Sequence, residues 1–435
     1  MMNSSDGSKK NKIVCRYGPS PTGNLHIGSA RTALFIYLFA KSRGGKFLLR
    51  IDDTDLIKSN YDYTNEAIEC LKWLGIKWDI GPIYQSRRFE IYKKYIQQLI
   101  DTGHAYYDES DKGKAVRFKM PAKKVEFIDL IHGTIKDDLS RYDDFIIQRS
   151  NGDPTYQIAT VVDDYEFGVS FLPRGNDLFK STHMQNALYE ALGWEHAPYA
   201  HIPLVVGGDG KKLSKSHGAT SVLEYKNNAY LPDALLNYMS MLGWAPKNKK
   251  EILTLQEMEK WFDYKNISSN NVVFDMKKLN WLNRKYMAKA DIHSLSALMF
   301  DLLVSRKIIA TDFDKSIFFE IVKLLTPRYY SNCDEFVNNS YYFFTGKIEL
   351  EKAELDEISD GIMKTIRQTI ETNEFTYDAL DRKLRATAEE MKIEFGKIIG
   401  YIRYLLTGKK VTPDIISVMI ILGKNEVIRR IGNLS

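Results

Sequence analysis

The stretch from residue 16 to residue 55 limits the possible folds of this chain more than any other. It follows a short apolar strand at 13–15 and passes through a loop rich in proline and glycine into a helix predicted to start near Ser29. The helix is expected to end at Gly44 and Gly45, where glycine can adopt a left-handed cap, and a continuous apolar strand follows at 47–49. This order predicts one right-handed parallel crossover. Sheets of this kind bind ligands beyond the carboxyl ends of their strands.

The loop before the helix has the composition of an anion site. Small residues such as Ser20 and Gly28 let a charged ligand approach the helix start, where free N–H groups and the helix dipole favour negative charge. His26 could donate to a phosphate, and Arg16 could pair with a carboxylate. Taken singly, both residues are also consistent with ordinary polar positions in a loop.

A second loop, at 207–216, combines glycine with several lysines. Such a segment can act as a mobile arm whose ammonium groups meet the charge on a triphosphate. By itself, a lysine-rich turn is also typical of a solvated loop.

The middle of the chain supplies further polar groups. From Tyr156 the run 161–164 is expected to lead to a strand at 168–172 that presents Arg174 at its end. The parallel order predicts that four side chains fall at strand ends and meet at one rim of the sheet: Arg16, Asp52, Tyr156 and Arg174. Two arginines suit a substrate with a carboxylate at each end, and an aspartate suits its ammonium group. The alternative reading is a structural ion pair at the rim.

These motifs together resemble one family. PSPTGNLHIGSA resembles the HIGH signature, and KLSKS the KMSKS signature, of class I aminoacyl-tRNA synthetases. RIDDTD, YQIATVVDDYEFGV and LPRGND resemble the glutamyl branch of that class. The C-terminal IRYLLTGKKVTPDIISVMIILGKNEVIRRI is similar to the end of the helical anticodon-binding region in bacterial glutamyl-tRNA synthetases. The resemblance covers nearly the whole chain in the expected order.

The resemblance implies a fold and a domain order. The fold is an α/β Rossmann-type catalytic domain with an α+β insertion, followed by an all-α stem-contact and anticodon-binding region. The implied domains are a disordered lead-in at 1–12, the first catalytic half at 13–104, an acceptor-end-binding insertion at 105–153, the second catalytic half at 154–220, a helical stem-contact domain at 221–290 and a helical anticodon-binding domain at 291–435.

It also implies a reaction and its residues. L-glutamate would be attached to tRNA(Glu) through a glutamyl-adenylate, with ATP, accompanied by Mg²⁺, as a substrate and with AMP and pyrophosphate released. The residues implied for glutamate are Arg16, Ser20, Asp52, Tyr156, Thr160 and Arg174. Those implied for ATP are His26, Gly28, Ser29, Lys212 and Lys215, of which His26 and Lys215 would be catalytic. Arg328 would read an anticodon base.

Four positions depart from the pattern of the glutamyl branch. Ser29 ends the HIGH-like motif, and Asp52 stands where the branch usually has glutamate. Thr160 stands where asparagine is frequent, and Leu178 where tryptophan or histidine is frequent. These changes keep the reaction class and leave the detail of the pocket open.

Composition excludes several classes of protein. At 435 residues the chain is expected to form two to four compact units, and its net charge of +5 is mild for a partner of RNA. Its three cysteines, Cys15, Cys70 and Cys333, lie far apart without a CxxC pair, which argues against a disulfide framework and a cysteine-based zinc site. The polar N-terminus does not resemble a signal peptide, and no apolar run approaches the roughly 18 residues that span a bilayer. We therefore expect a soluble, cytoplasmic protein, with monomer as the family's usual state.

Three rival functions were weighed against this one. A glutaminyl-tRNA synthetase would share the catalytic half, but its anticodon region is a β-barrel, whereas this one is predicted to be helical. A truncated paralogue that glutamylates a modified tRNA base would lack the helical third. An RNA-binding protein with an inactive nucleotide fold would not need the set Arg16, His26, Arg174 and Lys215. Whether tRNA(Gln) is also a substrate stays open.

Overall fold

A computed structural model describes residues 13–108, 114–211, 213, 221–325, 329–350 and 360–432. The lead-in at 1–12 and three predicted site residues, Lys212, Lys215 and Arg328, lie outside the described residues. The chain divides into two compact units, the first comprising Met1–Lys226 and Pro232–Leu282, and the second Asn227–Leu231 and Asn283–Ser435.

The first unit contains a mainly parallel sheet, a three-stranded antiparallel sheet and a two-stranded parallel sheet. Its strands are β1 (Val14–Tyr17), β2 (Lys46–Ile51), β3 (Ile80–Tyr84), β4 (Ala105–Asp108), β5 (Ala115–Phe118), β6 (Lys124–Asp129), β7 (Gly133–Asp138), β8 (Phe145–Gln148), β9 (Leu172–Gly175), β10 (Tyr199–Ile202), β11 (Val205–Val206) and β12 (Val272–Val273). Its helices are α1 (Ile27–Lys41), α2 (Tyr61–Trp73), α3 (Phe89–Asp101), α4 (Tyr156–Glu166), α5 (Phe179–Ala191), α6 (Val222–Lys226), α7 (Pro232–Met241), α8 (Leu255–Trp261) and the greater part of α9 (Met276–Met287).

The parallel strands have a doubly wound order. β1 pairs with β2 and β2 with β3, all parallel, and β10 lies parallel between β9 and β6. A parallel bridge between Cys15 and Phe171, with hydrogen bonds between Val14 and Ser170, joins the β1 side to the chain leading into β9. The order of the strands across the sheet is therefore β3-β2-β1-β9-β10-β6. From β1 the chain builds the sheet outward in one direction through β2 and β3, and on the other side of β1 lie β9, β10 and β6, so the switch point lies between β1 and β9. In doubly wound sheets this switch point is where ligands bind.

The sequence pattern explains the central layer. Phe47, Leu48 and Leu49 of β2 are all buried, as expected for a strand covered on both faces. α1 is buried along almost its whole length, because it packs against β1, β2, α7 and α8. This confirms the crossover predicted from residues 13–49.

The region between β3 and α4 contributes to two sheets. β4, β5 and β8 form an antiparallel sheet of their own. β6 and β7 form an antiparallel hairpin, and β6 also pairs with β10, so the hairpin extends the parallel sheet. The α+β character predicted for this part of the chain is confirmed.

Two predictions about the second half of the sheet were wrong. The strand that carries Arg174 is β9 (Leu172–Gly175) rather than 168–172. Tyr156 opens α4 and so does not fall at a strand end, and α1 begins at Ile27, two residues before the predicted start. The bounds of β9 are set by its parallel pairing with the distant strand β10, from Leu172 opposite Tyr199 to Gly175 opposite Ile202. Tyr156 belongs to α4 because that helix packs against α3 and α5.

The second unit is helical in its described residues. After the end of α9 come α10 (Ile292–Ser305), α11 (Lys315–Leu325), α12 (Cys333–Ser340), α13 (Asp360–Thr372), α14 (Tyr377–Glu390), α15 (Phe395–Thr407), α16 (Ile415–Leu422) and α17 (Lys424–Gly432). Their amphipathic faces form two apolar clusters, one around Phe318 and Phe336 and the other around Ile366 and Leu405. The helical C-terminal region predicted from the sequence is confirmed.

No helix in the described ranges is long and apolar enough to cross a membrane.

Candidate active site

A cavity of about 450 Å³ opens at the loop between β1 and α1. Its wall includes the backbone of the loop at 17–24, the start of α1 and residues from the turn after β9. Six of the predicted site residues line it: Ser20, His26, Gly28, Ser29, Asp52 and Tyr156. Arg16, Thr160 and Arg174 do not line the cavity and are buried within the protein around it.

A histidine caps the N-terminus of α1. His26 is the N-cap residue in extended conformation, and its Nδ1 accepts the backbone N–H of Ser29 at 3.3 Å. Its Nε2 lies 3.2 Å from the Ser29 hydroxyl. A Cβ on Gly28 would stand only 3.1 Å from the His26 ring, so glycine allows the ring to lie over the first turn. The cavity wall thus combines the positive end of a helix with an imidazole, which is an arrangement suited to phosphate.

A carboxylate also forms part of the cavity wall. Asp52 follows β2 directly, and its carboxylate accepts from Nε and Nη2 of Arg50 at 2.6 and 3.1 Å. The backbone of Gly18 approaches so closely that an added Cβ would lie 2.6 Å from an oxygen of Asp52. This confines the carboxylate to one position at the edge of the cavity.

Behind this wall the charges alternate in a buried row. Arg16 binds Asp164 through two hydrogen bonds, from Nε at 2.9 Å and from Nη2 at 3.0 Å. Arg50 also donates to Asp164, from Nη1 at 2.9 Å, and so connects it to Asp52. Thr160 faces the same arginine, with its hydroxyl 3.4 Å from Nη2. Arg16, the residue predicted to hold a substrate carboxylate, therefore pairs with a carboxylate of the protein.

A second aspartate on α4 extends the row. Asp163 accepts from Arg88 at 2.8 Å, from Gln85 at 3.1 Å and from the Tyr92 hydroxyl at 2.9 Å, and lies 3.8 Å from Arg50. Three arginines and three aspartates thus compensate one another in the interior. A buried charge of this kind is tolerated only when it is paired and hydrogen-bonded.

The two neighbouring aspartates differ in acidity. Burial raises the pKa of the Asp164 carboxyl, but Arg16 and Arg50 outweigh burial and hold the pKa below its ordinary value. For Asp163, burial outweighs Arg50 and Arg88, so its pKa lies above the ordinary value. The acidity of Asp164 fixes a permanent negative charge between the two arginines beside the cavity.

Arg174 is a buried arginine that, like Arg31, departs from this pattern because it has no carboxylate partner in the described part of the chain for its hydrogen bonds. Its Nη1 donates to Gln185 Oε1 at 2.6 Å and lies 3.4 Å from the Thr182 hydroxyl, and both of these partners are neutral. Its guanidinium stands 4.9 Å from the centre of the Tyr199 ring. The Nε and Nη2 atoms are buried and have no hydrogen-bond partner among the described residues. Since a buried unpaired donor is costly, this edge has the character of a binding site for an acceptor.

Sequence reasoning missed the partners that hold these arginines. Asp163 and Asp164 were noted only as part of a run, and Thr182 and Gln185 were not singled out. One signal was available for the aspartates, because two acidic residues that directly follow the apolar pair Val161 and Val162 indicate acids that lie in the interior. Buried acids require cationic partners.

Within the described ranges, no group of three or more histidine, cysteine, aspartate or glutamate side chains is arranged to hold a metal ion.

Comparison with known proteins agrees with this geometry. Residues 12–114 and 108–281 match the family described as the catalytic domain of class I tRNA synthetases (E and Q), and residues 274–434 match an anticodon binding domain. The chain is 36% identical to glutamate–tRNA ligase 2 of Thermoanaerobacter pseudethanolicus and 35% identical to glutamate–tRNA ligase 1 of Caldanaerobacter subterraneus, with 97% of each chain covered in both cases. A glutamate–tRNA ligase from Elizabethkingia meningosepticum, whose crystal structure was solved in complex with its amino acid, is 26% identical in sequence to this chain. It superposes with a TM-score of 0.84 over 97% of this chain and 99% of that one.

Proposed function

The chain belongs to the class I tRNA synthetases for glutamate and glutamine, and from that membership we propose that it attaches L-glutamate to tRNA(Glu). ATP would be the second substrate, bound as its Mg²⁺ complex, and AMP and pyrophosphate the products. The relatives named above are glutamate–tRNA ligases, which favours glutamate over glutamine.

The single observation that carries the choice of amino acid is the unpaired edge of Arg174. Nε and Nη2 together form the fork that binds a carboxylate in bidentate fashion. Glutamate supplies two carboxylates, whereas glutamine has one. Both nitrogens are buried, so a carboxylate can reach them only when neighbouring side chains move. We therefore propose that side chains next to Arg174 move aside when glutamate binds.

The other residues of the cavity divide between the two substrates. We propose that Asp52 faces the amino group of glutamate, with Ser20 and Tyr156 beside it. Arg16 and Thr160 are proposed to shape the pocket from behind, because Arg16 is held by Asp164 and Thr160 faces Arg50.

The ATP phosphates would lie at the start of α1. His26, Gly28 and Ser29 line the cavity there, and the N–H groups of the first turn offer donors for negative charge. Lys212 and Lys215 are proposed for the same phosphates because of the KMSKS-like sequence KLSKS.

The proposed reaction needs no protein nucleophile. The α-carboxylate of glutamate would attack the α-phosphate, and the terminal ribose hydroxyl of the tRNA would then attack the adenylate. Catalysis would consist of holding the reacting groups in line and stabilising the charge on the phosphates.

Several finer properties belong to the proposal. The region at 105–153 would bind the acceptor end, 221–290 the stem and 291–435 the anticodon, with Arg328 reading one base. We propose a monomer without zinc, working in the cytoplasm where tRNA is used for translation. Charging of tRNA(Gln) as well as tRNA(Glu) is a question for experiment.

The test is glutamate-dependent exchange between ATP and pyrophosphate, run with and without tRNA(Glu) and with glutamine as the competing amino acid. We expect exchange with glutamate that depends on tRNA. Exchange driven by glutamine, or none with either amino acid, would refute the proposed function. Charging assays on purified tRNA(Glu) and tRNA(Gln) then define the tRNA range.

A further inference from the structure

A buried chain of hydrogen bonds leads away from Arg174 on the side opposite its unpaired edge. The Thr182 hydroxyl lies 3.4 Å from Arg174 Nη1 and 2.9 Å from Nε2 of His201. Nδ1 of His201 in turn lies 2.7 Å from Oδ2 of Asp129. Thr182 and His201 are completely buried and Asp129 is 1% exposed, so water does not complete these bonds. The three side chains come from α5, β10 and β6.

The hydrogens in this chain can be assigned. Burial raises the pKa of Asp129, but hydrogen bonds from His201 and from backbone N–H groups hold it below the ordinary value, so the carboxylate only accepts. His201 Nδ1 must therefore carry the hydrogen. Burial lowers the pKa of His201, which keeps the imidazole neutral and leaves Nε2 as an acceptor. Thr182 is the hydroxyl that can donate to it.

This assignment fixes what Thr182 offers to Arg174. The hydroxyl has one hydrogen, which it gives to His201 Nε2, although the Leu178 carbonyl lies 3.0 Å away. Its lone pairs are then available to accept from Arg174 Nη1. Gln185 Oε1 accepts from the same nitrogen at 2.6 Å. Both acceptors lie on the Nη1 side of the guanidinium, and Nε and Nη2 are left without partners.

We propose that Asp129, His201 and Thr182 are positioning residues that turn the Nε and Nη2 edge of Arg174 toward the substrate carboxylate. This inference rests on the proposed function, in which Arg174 binds glutamate. None of the three touches the cavity, so each acts through the arginine. Asp129 belongs to the β6–β7 hairpin, so a residue from the segment that lies between the two catalytic halves in sequence sets the amino-acid pocket.

The decisive variant is Thr182→Val, which keeps the shape of the side chain and removes the hydroxyl. We expect the KM for L-glutamate in tRNA-dependent exchange to rise about tenfold, the effect of one lost hydrogen bond to a charged group, while kcat and the KM for ATP stay within twofold. Thr182→Ser keeps the hydroxyl and should restore the glutamate KM.

A matched control tests whether helix stability alone explains the effect. The Thr407 hydroxyl, also fully buried, donates to the carbonyl four residues earlier at 2.7 Å, much as Thr182 lies against Leu178. Thr407→Val should leave the glutamate KM unchanged. If Thr182→Val also leaves it within twofold of the parent, or changes the KM for ATP equally, the positioning role is refuted.

His201→Asn provides a second route if Thr182→Val does not fold. The asparagine amide can still donate to Asp129 from the place of Nδ1, but nothing replaces Nε2. We expect the same selective rise in the glutamate KM, and an unchanged value would refute the proposal. Absence of glutamate-dependent exchange in the parent enzyme would instead refute the proposed function, and that result is distinct from any difference between variants.

Discussion

Gly18 is the residue at which the backbone and a functional carboxylate come closest. An alanine Cβ there would stand 2.6 and 2.7 Å from the two oxygens of Asp52, well inside contact distance. The side chain of Asp52 would have to move, although Arg50 holds it on the other side. Glycine is required here by space rather than by backbone conformation, since its φ is not in the left-handed region.

We therefore predict that Gly18→Ala displaces Asp52 and lowers kcat/KM for glutamate by about 100-fold, a typical cost of misplacing a substrate-orienting group by about 1 Å. Steady-state aminoacylation measures the effect. Gly23→Ala is the matched control in the same loop, because an added Cβ there meets no atom within 4 Å. Equal activity of the two variants would contradict the prediction.

Asp164 is the residue on which the buried row of charges depends. Its removal leaves Arg16 and Arg50 with too little negative charge in the interior. We predict that Asp164→Asn lowers the free energy of unfolding by about 3–5 kcal/mol, as found when a buried pair loses one partner. Urea unfolding at pH 7 measures this. Glu90→Gln, which breaks the exposed pair with Lys93, should cost less than about 1 kcal/mol.

The same residue predicts a pH dependence with a definite sign. Its folded pKa is depressed, so the stabilisation is complete above the unfolded value of about 3.9 and is lost as the pH falls through the folded value. The difference between parent and Asp164→Asn should therefore shrink below about pH 4. A difference that stays constant or grows in acid would contradict this assignment.

At the scale of the element, the last helix is attached through its arginines. Glu426 of α17 accepts from Arg429 and Arg430, and Arg430 donates to the Leu406 carbonyl at 2.7 Å and the Thr345 carbonyl at 2.8 Å. The hydrogen bond from Arg429, supported by Arg430 and opposed by burial, lowers the pKa of Glu426 to about 2. Glu426 thus holds the side chain of Arg430 in place, and Arg430 supplies a hydrogen-bond donor to the Leu406 carbonyl at the end of α15.

We predict that Glu426→Gln destabilises the protein by about 1 kcal/mol at neutral pH, a value limited by partial solvent screening. Because the folded pKa is depressed, this stabilisation is lost as the pH falls from about 4.3 toward about 2. Urea titrations at pH 7 and pH 3 should show a smaller difference at pH 3. Glu371→Gln, in the exposed pair with Arg367, is the control expected to show little effect at either pH.

At the scale of the whole molecule, the second unit is not continuous in sequence. It includes Asn227–Leu231, which lies between two stretches of the first unit. Asn283 holds this segment, because its amide donates to the carbonyls of Ala229 at 3.0 Å and Ser331 at 2.6 Å and accepts from the Leu231 N–H at 2.9 Å. Asn283 is completely buried, and these three hydrogen bonds connect the segment Asn227–Leu231 to the rest of the second unit.

We predict that Asn283→Leu destabilises the second unit by about 3 kcal/mol, because two buried carbonyls and one partly buried N–H lose their partner. Hydrogen–deuterium exchange should become faster in α12, which follows Ser331. Lys277→Ala, an exposed change in the same helix α9, should leave exchange unaltered. Unchanged protection of α12 in Asn283→Leu would show that the segment is held by other contacts.

Much of this protein could be predicted from its sequence. The crossover through β1, α1 and β2 follows from local patterning, since apolar runs and glycines act within a few residues. The loop motifs identified the reaction class, and the helical pattern from Asp291 onward identified the all-α region of the second unit. The residues that line the cavity, such as His26 and Asp52, are close to those motifs in sequence, which is why they were found.

Only the tertiary structure decided which charges meet. Arg16 and Asp164 are 148 residues apart, and Asp129 and His201 are 72 apart, so no local pattern relates them. Asp164 lies on α4, which precedes β9 in the chain, and β9 lies beside β1, the strand of Arg16. Asp129 meets His201 because β6 lies beside β10. Sequence periodicity records which side chains are buried. Which partner a buried charge finds is set by packing between distant elements, because a buried arginine or aspartate is stable only where that packing supplies the opposite charge or a hydrogen bond.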